Sequence, residues 1–127
     1  MANGSSGRWE IAVDEQTSGA DRWFLQIEGP PVYFYFEIPS LEVIPKMIRF
    51  LAPATGSVDR NGLLPLSKDK RSEVTIVRDD EYHDRFFLVV GPMTNPIVRF
   101  VIAGSDVTNI ALALRQVNDD IDDAKSS

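Results

Sequence analysis

The chain holds a single histidine and no cysteine, and those two counts limit the chemistry open to it. His83 lies in the polar run Asp79-Asp80-Glu81-Tyr82-His83-Asp84. A serine nucleophile would need it as general base, and a metal site would need other donors converging on it. Adjacent residues of a strand or turn point in different directions, so the run reads as a solvated hairpin turn rather than a carboxylate–histidine metal cluster. Neither EF-hand spacing nor an HExxH pair occurs. Without thiols, a disulfide framework, a thiolate zinc site and a cysteine nucleophile all drop out. Glu28 and Glu37 flank an aromatic segment and are the best pair for acid–base work, which needs an apolar wall to raise one pKa. Their spacing fits the polar face of an alternating strand better. Gly29, Gly91 and Gly104 are isolated and form no phosphate-cradling loop. The residues therefore predict no catalytic group, no metal site and no cofactor.

Aromatic residues are the more informative set. Tyr33, Phe34, Tyr35 and Phe36 are consecutive, so both faces of one strand carry rings. Phe24 and Phe87 sit next to Trp23 and Phe86 in the same way. One face of each strand packs under a helix; the other is left for a second sheet, a partner or a ligand. Phe24, Tyr33, Tyr35 and Phe87 form the candidate binding face, and Arg22, Arg85 and Arg99 are the cations placed to contact phosphate beside it.

These residues recur because the chain repeats itself. Asp21-Arg22-Trp23-Phe24-Leu25 matches Asp84-Arg85-Phe86-Phe87-Leu88 at an offset of 84 − 21 = 63. The same offset aligns Glu10-Ile11-Ala12-Val13 with Glu73-Val74-Thr75-Ile76, and Ile44, Met47, Ile48 and Leu51 with Val107, Ile110, Ala111 and Leu114. Three ordered matches at one offset indicate duplication. Trp9, Ile11 and Val13, then Trp23, Leu25 and Ile27, alternate as half-buried strands, and Val32 to Ile38 is a third. The apolar quartet from Ile44 to Leu51 falls on one stripe of a short helix, with Pro45 tolerated in its first turns. The second half repeats this with strands at Glu73–Arg78, Arg85–Val90 and Ile97–Ala103. A final helix follows Gly104 and the capping candidates Ser105 and Asp106, with Val107, Ile110, Ala111, Leu114, Val117 and Ile121 as its stripe.

The predicted fold is α+β: a duplicated β-β-β-α unit whose antiparallel sheet or sheets pack on two helices with pseudo-two-fold symmetry. Residues 1–7 read as a disordered leader. A single domain over 8–127 then contains repeats 8–52 and 73–123 joined by a linker, 53–72. That linker is irregular and locally basic, with Arg60, Lys68, Lys70 and Arg71 against Asp59 and Asp69, and only Leu63 to Leu66 offers a short extended piece. Asp119, Asp120, Asp122 and Asp123 oppose the dipole at the end of the last helix, so they are expected to fray into water or to dock on a basic partner. The chain is acidic overall, at −6 with pI 4.7, which opposes broad attraction to nucleic acid or anionic lipid. No apolar run reaches membrane-spanning length, and the N-terminus has neither a basic n-region nor an apolar h-region, so no membrane contact and a cytoplasmic location are expected.

Laid out in this order, the units resemble the repeat of the Pur-type single-stranded nucleic-acid-binding proteins and, more loosely, the PC4 and Whirly group. Asp21 to Glu28 followed by Tyr33 to Leu51 carry the resemblance, with a fainter echo from Asp84 to Leu114. It implies curved antiparallel strands leading into a helix, two repeats packed together, and single strands held by ring stacking with a cationic groove. The sequence alone favours a non-enzymatic protein-interaction or scaffold module, acting as a homodimer through sheet aromatics or its acidic face. A single-stranded nucleic-acid binder is the alternative, with Phe24, Tyr33, Tyr35 and Phe87 stacking and Arg22, Arg85 and Arg99 on phosphate.

Overall fold

A computed structural model describes residues 2–16, 22–52, 62–69, 73–82 and 84–126. His83, the hairpin loop after Gln16 with Asp21, and the part of the linker holding Asp59, Arg60, Lys70 and Arg71 lie outside the described residues.

Each half of the chain runs through four strands into a helix. The first half comprises β1 (Ala2–Ser6), β2 (Trp9–Gln16), β3 (Arg22–Gly29), β4 (Val32–Ile38) and α1 (Val43–Leu51). The second comprises β5 (Leu63–Pro65), β6 (Val74–Arg78), β7 (Arg85–Val90), β8 (Val98–Ala103) and α2 (Ser105–Ser126). Two antiparallel four-stranded sheets result, ordered β1-β2-β3-β4 and β5-β6-β7-β8. The α+β duplication is present, with four strands per unit where three were expected. Trp23 pairs with Glu15 on one side and Ile38 on the other, and Phe86 pairs with Arg78 and Ile102 in the same way. The offset of 63 therefore holds through β7 and becomes 102 − 38 = 64 in β8, because seven residues separate the pair Val90 and Val98 where six separate the equivalent pair Ile27 and Phe34.

The extra first strand corrects the expected disordered leader. β1 carries almost no apolar alternation; backbone pairing with β2 and polar contacts from α2 hold it instead. The N–H groups of Asn3 and Ser5 donate to the Asp120 carboxylate at 3.1 Å and to Gln116 Oε1 at 3.0 Å. Gln116 Nε2 donates back to the Ser5 carbonyl at 2.9 Å. Side chains of α2 thus satisfy the free edge of the sheet, which would otherwise be open to another strand. Gly4 permits the approach, since a Cβ there would lie 2.0 Å from the Ala113 carbonyl oxygen. Asp120 belongs to the acidic run expected to fray, yet α2 continues to Ser126 and Asp120 serves as this edge acceptor.

The two helices are exchanged between the units. α2 packs on β1 and β2 of the first sheet and against α1. α1 reaches the second sheet, where the Phe50 ring tilts against Phe86 at 5.7 Å and Arg78 donates to the Phe50 carbonyl at 2.8 Å. Trp9, fully buried, meets Phe100 of β8 edge-on at 6.2 Å and donates its indole N–H to Asp106 at 2.8 Å. Asp106, a capping candidate in the sequence, is therefore an anchor between the start of α2 and β2, and it also pairs with Arg8. Both helical stripes face one continuous core: Ile44, Met47 and Leu51 from α1, and Val107, Ile110, Leu114 and Val117 from α2. Among the described residues no helix is long and apolar enough to cross a membrane.

Candidate nucleic-acid interface

Side chains alternate across a strand, so burying one face of each sheet on the helices turns the other face outward. The seven candidate residues all lie on these outward faces, but on two different ones. Phe24, Tyr33, Tyr35 and Arg22 belong to the first sheet; Phe87, Arg85 and Arg99 belong to the second.

On the first sheet Phe24 and Tyr35 stack in parallel, with centroids 5.4 Å apart and planes 6° apart. Tyr35 and Tyr33 are exposed. Arg22 covers Phe24 at 5.2 Å, but its Nη2 is also 3.0 Å from Glu37, which Lys68 approaches at 3.3 Å. The hydrogen bond from Arg22 holds the Glu37 carboxyl below its ordinary range, with a further one from Lys68 acting in the same direction and partial desolvation opposing. The strand pairing also puts Glu10 and Glu28 in register with Tyr33, and Asp14 in register with Phe24. This face is ring-rich and acidic.

The second sheet presents the opposite character. Phe87 pairs with Val101, and Val89 pairs with Arg99. The Arg99 guanidinium lies 4.5 Å from the Phe87 centroid on one side, and Arg85 lies 5.9 Å from it. Arg85 continues to Tyr82 at 4.2 Å, so rings and cations alternate in the order Arg99, Phe87, Arg85, Tyr82. A ring face attracts a guanidinium electrostatically, and a flat guanidinium leaves its outer side open for stacking. Arg85 is paired with Asp79, whose carboxyl is held below its usual range by the Glu81 backbone N–H first and by Arg85 after that. Arg99 has no carboxylate partner among the described residues. Leu63 and Val101 are exposed on the same face, and no outward strand position on it is acidic.

The duplication explains why the two faces share a plan. Arg22 and Arg85 correspond, as do Phe24 and Phe87, so each sheet has an arginine over a phenylalanine two residues on. The register in β4 and β8 then puts Tyr35 and Arg99 at equivalent places: a second ring on one sheet, a second cation on the other. Sequence reasoning grouped the four rings as one face and missed Tyr82, which closes the ladder. The exposed apolar residues Ile97, Val98 and Val101 at the edge strand β8 were also missed; the signal for them is the run Ile97 to Ala103, apolar on both faces. Among the described residues no group of three or more His, Cys, Asp or Glu side chains is placed to hold a metal ion.

Comparison with known proteins adds no relative: no family model, no curated protein and no solved structure matches the chain.

Proposed function

We propose that the protein binds single-stranded nucleic acid, without catalysis, on the outer face of its second sheet. The observation that carries this reading is Phe87 lying between Arg85 and Arg99 on a face whose outward strand positions hold no acid. Single strands are bound by rings on which bases stack together with cations that track the phosphates, and this face supplies both. The order of strands and helix in each unit, resembling the Pur-type repeat, supports the same reading. Acidic residues lie off the strands of this face, in the run Asp79 to Asp84 that carries Tyr82, and on the outer face of the first sheet.

A fluorescein-labelled poly-dT oligonucleotide titrated at low and moderate salt tests the proposal. Micromolar binding in low salt that weakens as salt rises is expected, because neutralised phosphates release counterions. Removing one phosphate contact with Arg99→Ala should lower the salt slope by about 0.7, while Tyr35→Ala on the acidic face leaves binding unchanged. Absence of binding at micromolar protein in low salt overturns the proposal. In that case the apolar edge at Ile97, Val98 and Val101 favours the protein-interaction reading, with a second copy of the chain as occupant. Sedimentation of the same sample at twice the monomer mass would support it.

A further inference from the structure

A separate cavity of about 580 Å³ lies where the C-terminal end of α1 passes over the second sheet beside α2. Its apolar lining includes Leu51, Phe86, Val107 and Ala111, and its charged lining is two arginines, Arg78 and Arg115, against one carboxylate, Asp84. Small-molecule sites are of this size, mostly apolar, with a few placed polar groups.

Arg78 is held in an unusual way. Its Nη2 donates to the Phe50 carbonyl in the last turn of α1, and its guanidinium lies 4.8 Å from the Phe50 ring and 5.9 Å from the Phe86 ring. Ring faces and a helix C-terminus stabilise the cation without neutralising it. Among the described residues no carboxylate forms an ion pair with Arg78 or with Arg115. Two arginines against the single carboxylate of Asp84 leave the lining of this apolar hollow net positive, which favours a ligand that is apolar along its body and anionic at one end.

The pseudo-two-fold axis supplies an internal control. The equivalent groove, where the end of α2 passes over the first sheet, has Glu15 where the cavity has Arg78, and Trp23 where it has Phe86. Counted from the helices, Leu41 stands there in place of Gly104, around which a side chain would meet nothing within 4 Å. The first-sheet groove is broken into smaller hollows of about 360 and 480 Å³, lined by Glu15, Glu42, Asp120 and Asp122 and, among the described residues, by no Arg or Lys. Duplication has made one groove acidic and partly filled, and the other open and net cationic, with two arginines against Asp84.

We propose that the cavity at the end of α1 binds a small amphipathic carboxylate, with its chain on the apolar floor and its carboxylate on Arg78 and Arg115. This site is independent of the sheet face assigned above to nucleic acid. Decanoate titrated calorimetrically into the full chain below its micelle concentration is the test, with decanol and decyltrimethylammonium as neutral and cationic controls. Binding of decanoate at one site is expected, with decanol about tenfold weaker for loss of one charge-assisted contact and no binding of the cation. Arg115→Gln, on the exposed side of α2, and Ala111→Leu, which fills the floor, should each weaken decanoate binding without touching the Arg78–Phe50 contact. Arg78→Met tests the central cation in addition. The proposal is overturned if decanoate does not bind, if decanol binds as tightly, or if neither Arg115→Gln nor Ala111→Leu weakens it.

Discussion

At the scale of single residues, what matters is which charges are neutralised and by what. Arg22 and Arg85 both cover a phenylalanine two positions on, yet each also faces a carboxylate, Glu37 or Asp79. Arg99 has none among the described residues, and it replaces a tyrosine at the equivalent place in the first sheet. Val77 and Val101 stand where the first sheet has Asp14 and Glu37, so the two faces differ by one ring for one cation and by lost carboxylates. Asp106 shows a carboxylate used structurally. Hydrogen bonds from Arg8 and then from the Trp9 indole hold its carboxyl below the ordinary range, with desolvation opposing. The Arg8 pair is partly exposed and adds little, whereas Trp9 is fully buried and, among the described residues, its N–H has no other acceptor. Asp106→Ala leaves that donor unsatisfied and should cost about 1–3 kcal/mol at neutral pH. A carboxyl whose folded pKa is depressed contributes stability that is complete above its unfolded value, about 3.9, and is lost as pH falls through the folded value. Denaturant melts of wild type and variant should therefore differ most at pH 7 and converge below about pH 4. A gap that stays constant with pH would show that the ionised carboxylate is not what binds Trp9.

At the scale of elements, β1 is the instructive case. Its residues, Ala-Asn-Gly-Ser-Ser, have the composition of a loose leader, and of the three that turn inward, Ala2, Gly4 and Ser6, only Ala2 brings an apolar side chain. The strand exists because α2 supplies acceptors at Gln116 and Asp120 and because Gly4 lets the helix backbone come close. Gly4→Val should destabilise the fold by about 1–3 kcal/mol through overpacking, and should raise the amide exchange rates of Asn3 and Ser5 selectively. A thermal melt equal to wild type with protected amides would remove α2 from the role of edge cover. The same element explains what could be read beforehand. Strands with apolar alternation, such as Trp9-Ile11-Val13 and Phe86-Leu88, and helices with a full stripe announce themselves, because local pattern and burial agree. β1 does not, since the α2 side chains that cover its outer edge are polar and more than a hundred residues away. The candidate site was legible in part for a related reason. Phe87, Arg85 and Arg99 could be named, but assigning them to a sheet apart from Phe24 and Tyr35 required the pairing register.

At the scale of the whole molecule, the exchange of helices joins the two units more closely than a linker would. Each sheet has its apolar face covered at least in part by the helix that follows the other sheet: α2 on β1 and β2, and Phe50 of α1 on Phe86 of β7. A unit cut free would expose that face, and a small isolated sheet with an uncovered apolar side is not stable in water. Connection through the linker is a separate matter, because Trp9 and Ile44 of the first unit share one core cluster with Ile110 and Leu114 of the second. A protease site inserted between residues 53 and 60 should therefore yield two fragments that stay together through gel filtration and keep the near-ultraviolet dichroism of Trp9 in its packed site. In urea they should separate, and neither fragment should recover that signal alone, while mixing them restores it at a rate that rises with concentration. A first fragment that refolds alone to native dichroism would mean that the β2–β4 sheet and α1 form a sufficient core, and that α2 is an addition to the fold rather than half of its closure.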